Sequence, residues 1–163
     1  MTDRTFPRYG SEYDLDIATR TLYGEARSKP VDDDAGVVWV LVNRAREAQA
    51  YINRTGKCRH PLFGDGTVAS AALMPWQFSC WNSNDPNLPK MKALSPADAG
   101  YQACRQVVEA VVAGRVRDPT RGSKHYLTTA LLRQINASSK PHWAKGQGPA
   151  VVLGPHAFFN NIA

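Results

Sequence analysis

The chain has 163 residues, 43% hydrophobic and 21% charged, which is ordinary for a globular protein of about one domain with a sizeable core. Twenty Lys and Arg against 14 Asp and Glu give a net charge of +6 and a pI near 9.4, favouring an anionic partner: nucleic acid, an acidic membrane surface or an anionic polymer such as a bacterial wall. The longest apolar run, Val37 to Val42, excludes a membrane span, which needs about 20 residues, and residues 1–8 hold no apolar stretch suited to a secretory signal.

The first helix is predicted from about Asp14 to Ala26. Within it Leu15, Ala18, Leu22 and Glu25 fall at i, i+3, i+7 and i+10, one continuous stripe. An apolar stripe that ends in a carboxyl group aims that group at the core or at a cleft. Gly24 precedes Glu25 and Ser28-Lys29-Pro30 follows, so the helix should stop within a turn of it. Negative charge is disfavoured near a helix C-terminus, which suits a carboxyl group that must hold and deliver a proton. The bland alternative is a partly exposed Glu25 paired with Arg27 or Lys29.

Asp32, Asp33 and Asp34 offer N-cap carboxylates for a second helix from about Ala35 to Ala50. Its first half is apolar on all sides, so it should be the buried central helix, with Trp39 in the core. Four valines make a strand the rival reading. The polar, helix-forming continuation from Asn43 to Ala50 favours helix.

From Asn53 to about Lys92 the chain changes character. Pro61, Gly64, Gly66, Pro75, Pro86 and Pro89 break any long element, and aromatics cluster at Trp76, Phe78 and Trp81. Short helical turns are expected there, in a segment whose length points to function. Cys58 and Cys80 both lie in it and can pair, while Cys104 reads as a small core residue. The cysteines and histidines show no tight ligand spacing, so neither a metal site nor another cofactor is expected.

A third helix is marked by Ser95 as N-cap, Pro96 at the first position and Asp98 in the first turn. Tyr101, Cys104, Val108 and Val111 form its buried stripe, and Gly114 is its stop. Arg115, Arg117, Arg121 and Lys124 make the densest basic cluster. The closing segment, Ala150 to Phe159, reads as two short strands around Gly154-Pro155, a hairpin. The fold class is therefore α+β, mainly α, in a single domain with a small β-hairpin.

Three segments carry a resemblance. Thr21-Leu22-Tyr23-Gly24-Glu25-Ala26-Arg27, Gly36 through Asn43-Arg44, and Gln77-Phe78-Ser79-Cys80-Trp81-Asn82 resemble successive motifs of the SleB-like cell wall hydrolases, the spore-cortex-lytic and related phage enzymes. His125-Tyr126, Trp143 and Gly154-Pro155-His156-Ala157-Phe158-Phe159 resemble the later ones. The likeness runs from about residue 14 to 160, leaving residues 1–13 as an N-terminal extension to a catalytic domain of 14–163. Ser28-Lys29 stands where the family usually has Gly-Glu. The resemblance implies a lysozyme-like fold, one essential glutamate at Glu25, and cleavage of peptidoglycan between N-acetylmuramic acid and N-acetylglucosamine.

One glutamate is chemically sufficient. Ordinary glycosidases add a second carboxylate as nucleophile or base. A lytic transglycosylase omits it, because the C6 hydroxyl of the muramic acid attacks instead and yields a 1,6-anhydro product. Asp32, Asp33, Asp34, Asp65 and Asp85 are the candidates for a second carboxylate if water attacks. Sugar rings present apolar faces and hydroxyl edges, so Trp81 and Tyr126 are candidates for stacking, and Gln77, Ser79 and Asn82 for hydrogen bonds. Tyr23 can orient Glu25, and His125 can set the polarity of the cleft; Phe78 reads as core. The expected partner is the glycan strand, met by a monomer that neither binds nucleic acid nor spans a membrane. Its expected setting is the host cytoplasm, with access to the wall once the membrane is breached. A true hydrolase and a non-catalytic wall-binding module are the competing readings.

Overall fold

A computed structural model describes residues 10–26, 34–75, 77–137 and 143–160. Helix α1 (Glu12–Ala26) begins at a reciprocal cap. Ser11 Oγ accepts from the Asp14 amide at 3.0 Å and donates to Asp14 Oδ2 at 2.7 Å. The other Asp14 oxygen accepts from the Ala69 amide at 2.8 Å. That amide lies in the first turn of α3 (Val68–Leu73), where it has no intrahelical partner, so one buried carboxylate ties two helix starts together.

Helix α2 (Asp34–Thr55) is the buried centre, with Val37, Val38, Val40, Leu41, Val42, Ala45 and Ala48 all inaccessible to solvent. The helical reading of its valines holds, and the helix runs five residues further than expected. Trp39 is core, with its indole N–H donating to the Val116 carbonyl at 3.1 Å. Asp34 is its first residue and is buried, whereas Asp32 and Asp33 lie outside the described residues.

The central segment holds the expected short turns: α3, a 3-10 turn at Ser79–Trp81, and α4 (Leu88–Ala93). Arg20 of α1 clamps α4 by donating to the carbonyls of Met91 at 2.9 Å, Lys92 at 3.2 Å and Leu94 at 2.9 Å. A guanidinium at these unpaired carbonyls also complements the helix dipole. Arg20→Gln should lose about 1–3 kcal/mol of stability. An unchanged midpoint in urea unfolding would show the clamp to be idle.

Helix α5 (Ala99–Val112) starts later than the Ser95 cap implied. Ser95 N donates to Asp98 Oδ2 at 2.9 Å and Ala97 N to Ser95 Oγ at 3.1 Å, so side chains close a separate turn and Asp98 becomes the N-cap. The predicted stripe of Tyr101, Cys104, Val108 and Val111 is buried. At the far end Arg115 N bonds Ala110 O and Gly114 N bonds Val111 O, with Gly114 at φ 75°. This is a Schellman stop, for which glycine is suited.

The hairpin forms as β2 (Val151–Leu153) and β3 (His156–Phe159) around Gly154-Pro155. A third strand, β1 (His125–Thr128), was not expected; it pairs antiparallel with β3 and gives the order β1-β3-β2. It is followed at once by α6 (Thr129–Ala137). Tyr126 pairs with Phe158 on one face of the sheet, and Gly36 of α2 is where Phe158 packs: a Cβ there would lie 2.9 Å from its Cζ. All three cysteines are free; Cys58 is exposed and Cys80 buried, so the possible Cys58–Cys80 pair does not form.

Candidate active site

Glu25 sits half-buried in the last turn of α1, at the end of the predicted stripe. Gly24 lets other elements close on it: a Cβ there would meet both Cys80 Cβ and Met91 Sδ at 2.8 Å. The 3-10 turn and α4 thus pack directly on the backbone beside the glutamate. Burial, and then the neighbouring Glu25 carboxylate, push the Cys80 thiol well up, so it stays protonated and is no nucleophile. Trp81 is anchored one turn back, its indole N–H donating to Thr21 Oγ1 at 2.9 Å.

The sheet brings the second partner. Tyr126 donates its hydroxyl to Glu25 Oε2 at 2.8 Å. Its ring is fixed by His156 at 5.1 Å, Phe158 at 5.6 Å and Phe78 at 6.2 Å. Burial and the Glu25 carboxylate raise the phenol well above its ordinary range, so it remains a donor.

Arg44 of α2 completes the arrangement. Only 4% exposed, it stacks its guanidinium 4.9 Å from the Phe78 ring and 5.4 Å from that of Phe63. Its Nε donates to the Lys124 carbonyl at 2.7 Å, while Nη1 has no hydrogen-bond partner. Burial pulls its pKa down to about 10, and the nearby Glu25 carboxylate opposes that, so it is still a cation at neutral pH. A buried cation thus stands within electrostatic reach of Glu25, placed to stabilise negative charge there.

Of the residues expected at the site, Tyr126 and Glu25 are in direct contact. Trp81 and Asn82 line a groove of about 440 Å³ with Leu73, Pro75, Ser83 and Asn84. Glu25 does not line it; the link is the Cys80-Trp81 step, with Cys80 against the carboxylate and Trp81 in the groove wall. Gln77 is half-buried and Ser79 exposed on the same segment. Tyr23 packs toward α5, since a Cβ on Gly100 would fall 2.9 Å from its ring. Two residues make about 200° of helix, which turns Tyr23 away from the side Glu25 faces.

His125 is separated from Tyr126 by strand alternation. Its ring lies 5.1 Å from Trp143 and 6.1 Å from Phe63. Burial, then the cations Arg44 and Lys124, push it from 6.5 down to about 4. Folding therefore opposes its protonation, and the stability loss should develop as pH falls through 6.5 and level off near 4. His125→Gln should flatten that part of the stability curve; chemical unfolding at pH 7, 5.5 and 4 with parallel slopes for both proteins would disprove it.

Among the candidate second carboxylates, Asp34 is buried where its charge acts on Cys104, and Asp65 accepts from Thr67 within its own turn. Asp85 accepts from the Asn87 amide at 2.8 Å, and its charge reaches Cys80, on the Glu25 side. Sequence reasoning passed over Arg44. The signal was present: Val37, Leu41, Arg44 and Ala48 share one buried helical stripe, and a charge there demands a reason.

A profile of cell wall hydrolases matches residues 28–159. The chain belongs to that family. It is a peptidoglycan-degrading enzyme. The crystal structure of the catalytic domain of the Bacillus cereus SleB protein superposes with a TM-score of 0.63 at 19% identity, over 96% of this chain and 97% of that one. At that identity the likeness is one of fold. No relative was matched among the curated proteins. The cell wall hydrolase profile begins three residues after Glu25, so the glutamate's role rests on its motif and its surroundings.

Proposed function

We propose that the enzyme cuts the glycan strand between N-acetylmuramic acid and N-acetylglucosamine as a lytic transglycosylase, with Glu25 as both acid and base. The observation that carries this is the Tyr126–Glu25 bond of 2.8 Å, which holds a half-buried carboxyl group with a neutral donor and no bonded second carboxylate among the described residues. Glu25 protonates the glycosidic oxygen as the C1–O bond breaks. The muramic acid C6 hydroxyl then bonds to C1 and returns its proton to Glu25, closing the 1,6-anhydro ring without consuming water. Trp81 and Asn82 hold sugar in the adjoining groove, and the +6 charge draws the enzyme to the anionic wall. A phage endolysin, working as a monomer after the host membrane is breached, is the setting that fits. No helix among the described residues is long and apolar enough to cross a membrane.

The position of Asp85 favours a second reading, a hydrolase in which that carboxylate activates water. Mass spectrometry of soluble products from purified peptidoglycan separates the two. Anhydro-muropeptides made by the wild type and not by Glu25→Gln support transglycosylation; products carrying an added water sink it and turn attention to Asp85.

A further inference from the structure

A second groove, of about 280 Å³, shares Leu73 and Pro75 with the groove at Trp81, so the two adjoin. Tyr13, in the first turn of α1, lines the second groove, and Trp81 of the first contacts Thr21 about two turns further along the same helix. From Tyr13 to Glu25 is about 18 Å of helix axis, which leaves room for a part of the substrate beyond the reacting sugars.

The chemistry of this second groove differs from that of the first. Tyr13 is 61% and Leu73 36% exposed, both large apolar surfaces left open to water. Arg59 is exposed on the wall, and its Nη2 donates to Met74 Sδ at 3.2 Å, a weak acceptor. Asp65, on the same wall, feels the Arg59 charge without an ion pair; its own carboxylate accepts an amide at 3.0 Å and a hydroxyl at 2.7 Å from Thr67. The guanidinium is thus preset beside an apolar wall with its remaining N–H groups available. Such a fork suits a carboxylate, which neutral sugar rings lack. In peptidoglycan, carboxylates and aliphatic side chains come together on the peptide stems that branch from muramic acid.

We propose that the Tyr13–Arg59 groove is a subsite for the peptide stem, with Arg59 taking a stem carboxylate while Tyr13 and Leu73 cover its aliphatic part. The inference rests on the reading of this protein as an enzyme of the glycan strand, and its test does not need turnover. Glu25→Gln protein, with and without Arg59→Gln, is sedimented with intact peptidoglycan and with the same strands stripped of stems by an amidase and amidated at the lactyl carboxylates this frees. Arg59→Gln should lower the ratio of affinities, intact over stripped, about fivefold, with Arg59→Lys recovering part of it. An unchanged ratio, or an equal loss on both materials, overturns the subsite. Wild-type protein that releases no product would defeat the cleavage reading, while the sedimentation ratio still decides the stem site.

Discussion

Glu25→Gln should retain the fold and lose roughly 10²–10⁴-fold in kcat on purified peptidoglycan, the usual contribution of one positioned acid. The amide keeps the shape of the carboxyl and can still accept from Tyr126, whose hydroxyl now sits 2.8 Å from Oε2, so packing at the end of α1 is conserved. What disappears is a transferable proton. The loss should appear in kcat with little change in KM, since the groove at Trp81 and Asn82, where we place the sugars, is untouched. Rates measured beside a thermal melt decide the matter: full activity in a folded Glu25→Gln protein would remove this residue from the chemistry.

Arg44→Met should come next, with about 10²-fold lost in kcat, comparable to removing one preorganised donor near a developing charge. Methionine fills the space between Phe63 and Phe78 and removes the buried Nη1 that has no hydrogen-bond partner. The Lys124 carbonyl loses its 2.7 Å donor, which should cost about 1–3 kcal/mol. The functional signature is separate. It lies in kcat with little change in KM, because Arg44 does not line the groove at Trp81. Arg44→Lys restores the charge without the planar stack and should recover part of the rate. A melt that drops while the folded fraction keeps its rate would reduce Arg44 to a packing residue.

The helices were legible because their periodicities are strong. The α1 stripe delivered Glu25 to a half-buried position, the valine run became the buried α2, and Gly154-Pro155 marked the hairpin turn. Ser95 misled because its bonds to Asp98 and Ala97 close a turn of their own, a competition that composition does not reveal. Strand β1 is four residues long, too short for a period to register, and its partner β3 lies some 30 residues on. Of the expected sugar contacts, Trp81 and Asn82 face one groove, whereas His125 and Tyr23 turn elsewhere. Single residues suggested each of these roles, but direction depends on which element packs against which.

The acid and its donor stand 101 positions apart in the chain. Helix α1 leaves a ribosome before β3, yet Tyr126 is held by a strand whose only sheet neighbour among the described residues is β3. Contacts of such long sequence separation form late in folding. A nascent or truncated chain that stops short of Phe159 would therefore carry Glu25 without the hydroxyl that orients it. Glu25 thus gains its donor only once β3 has docked on β1, which couples the site to completion of the sheet.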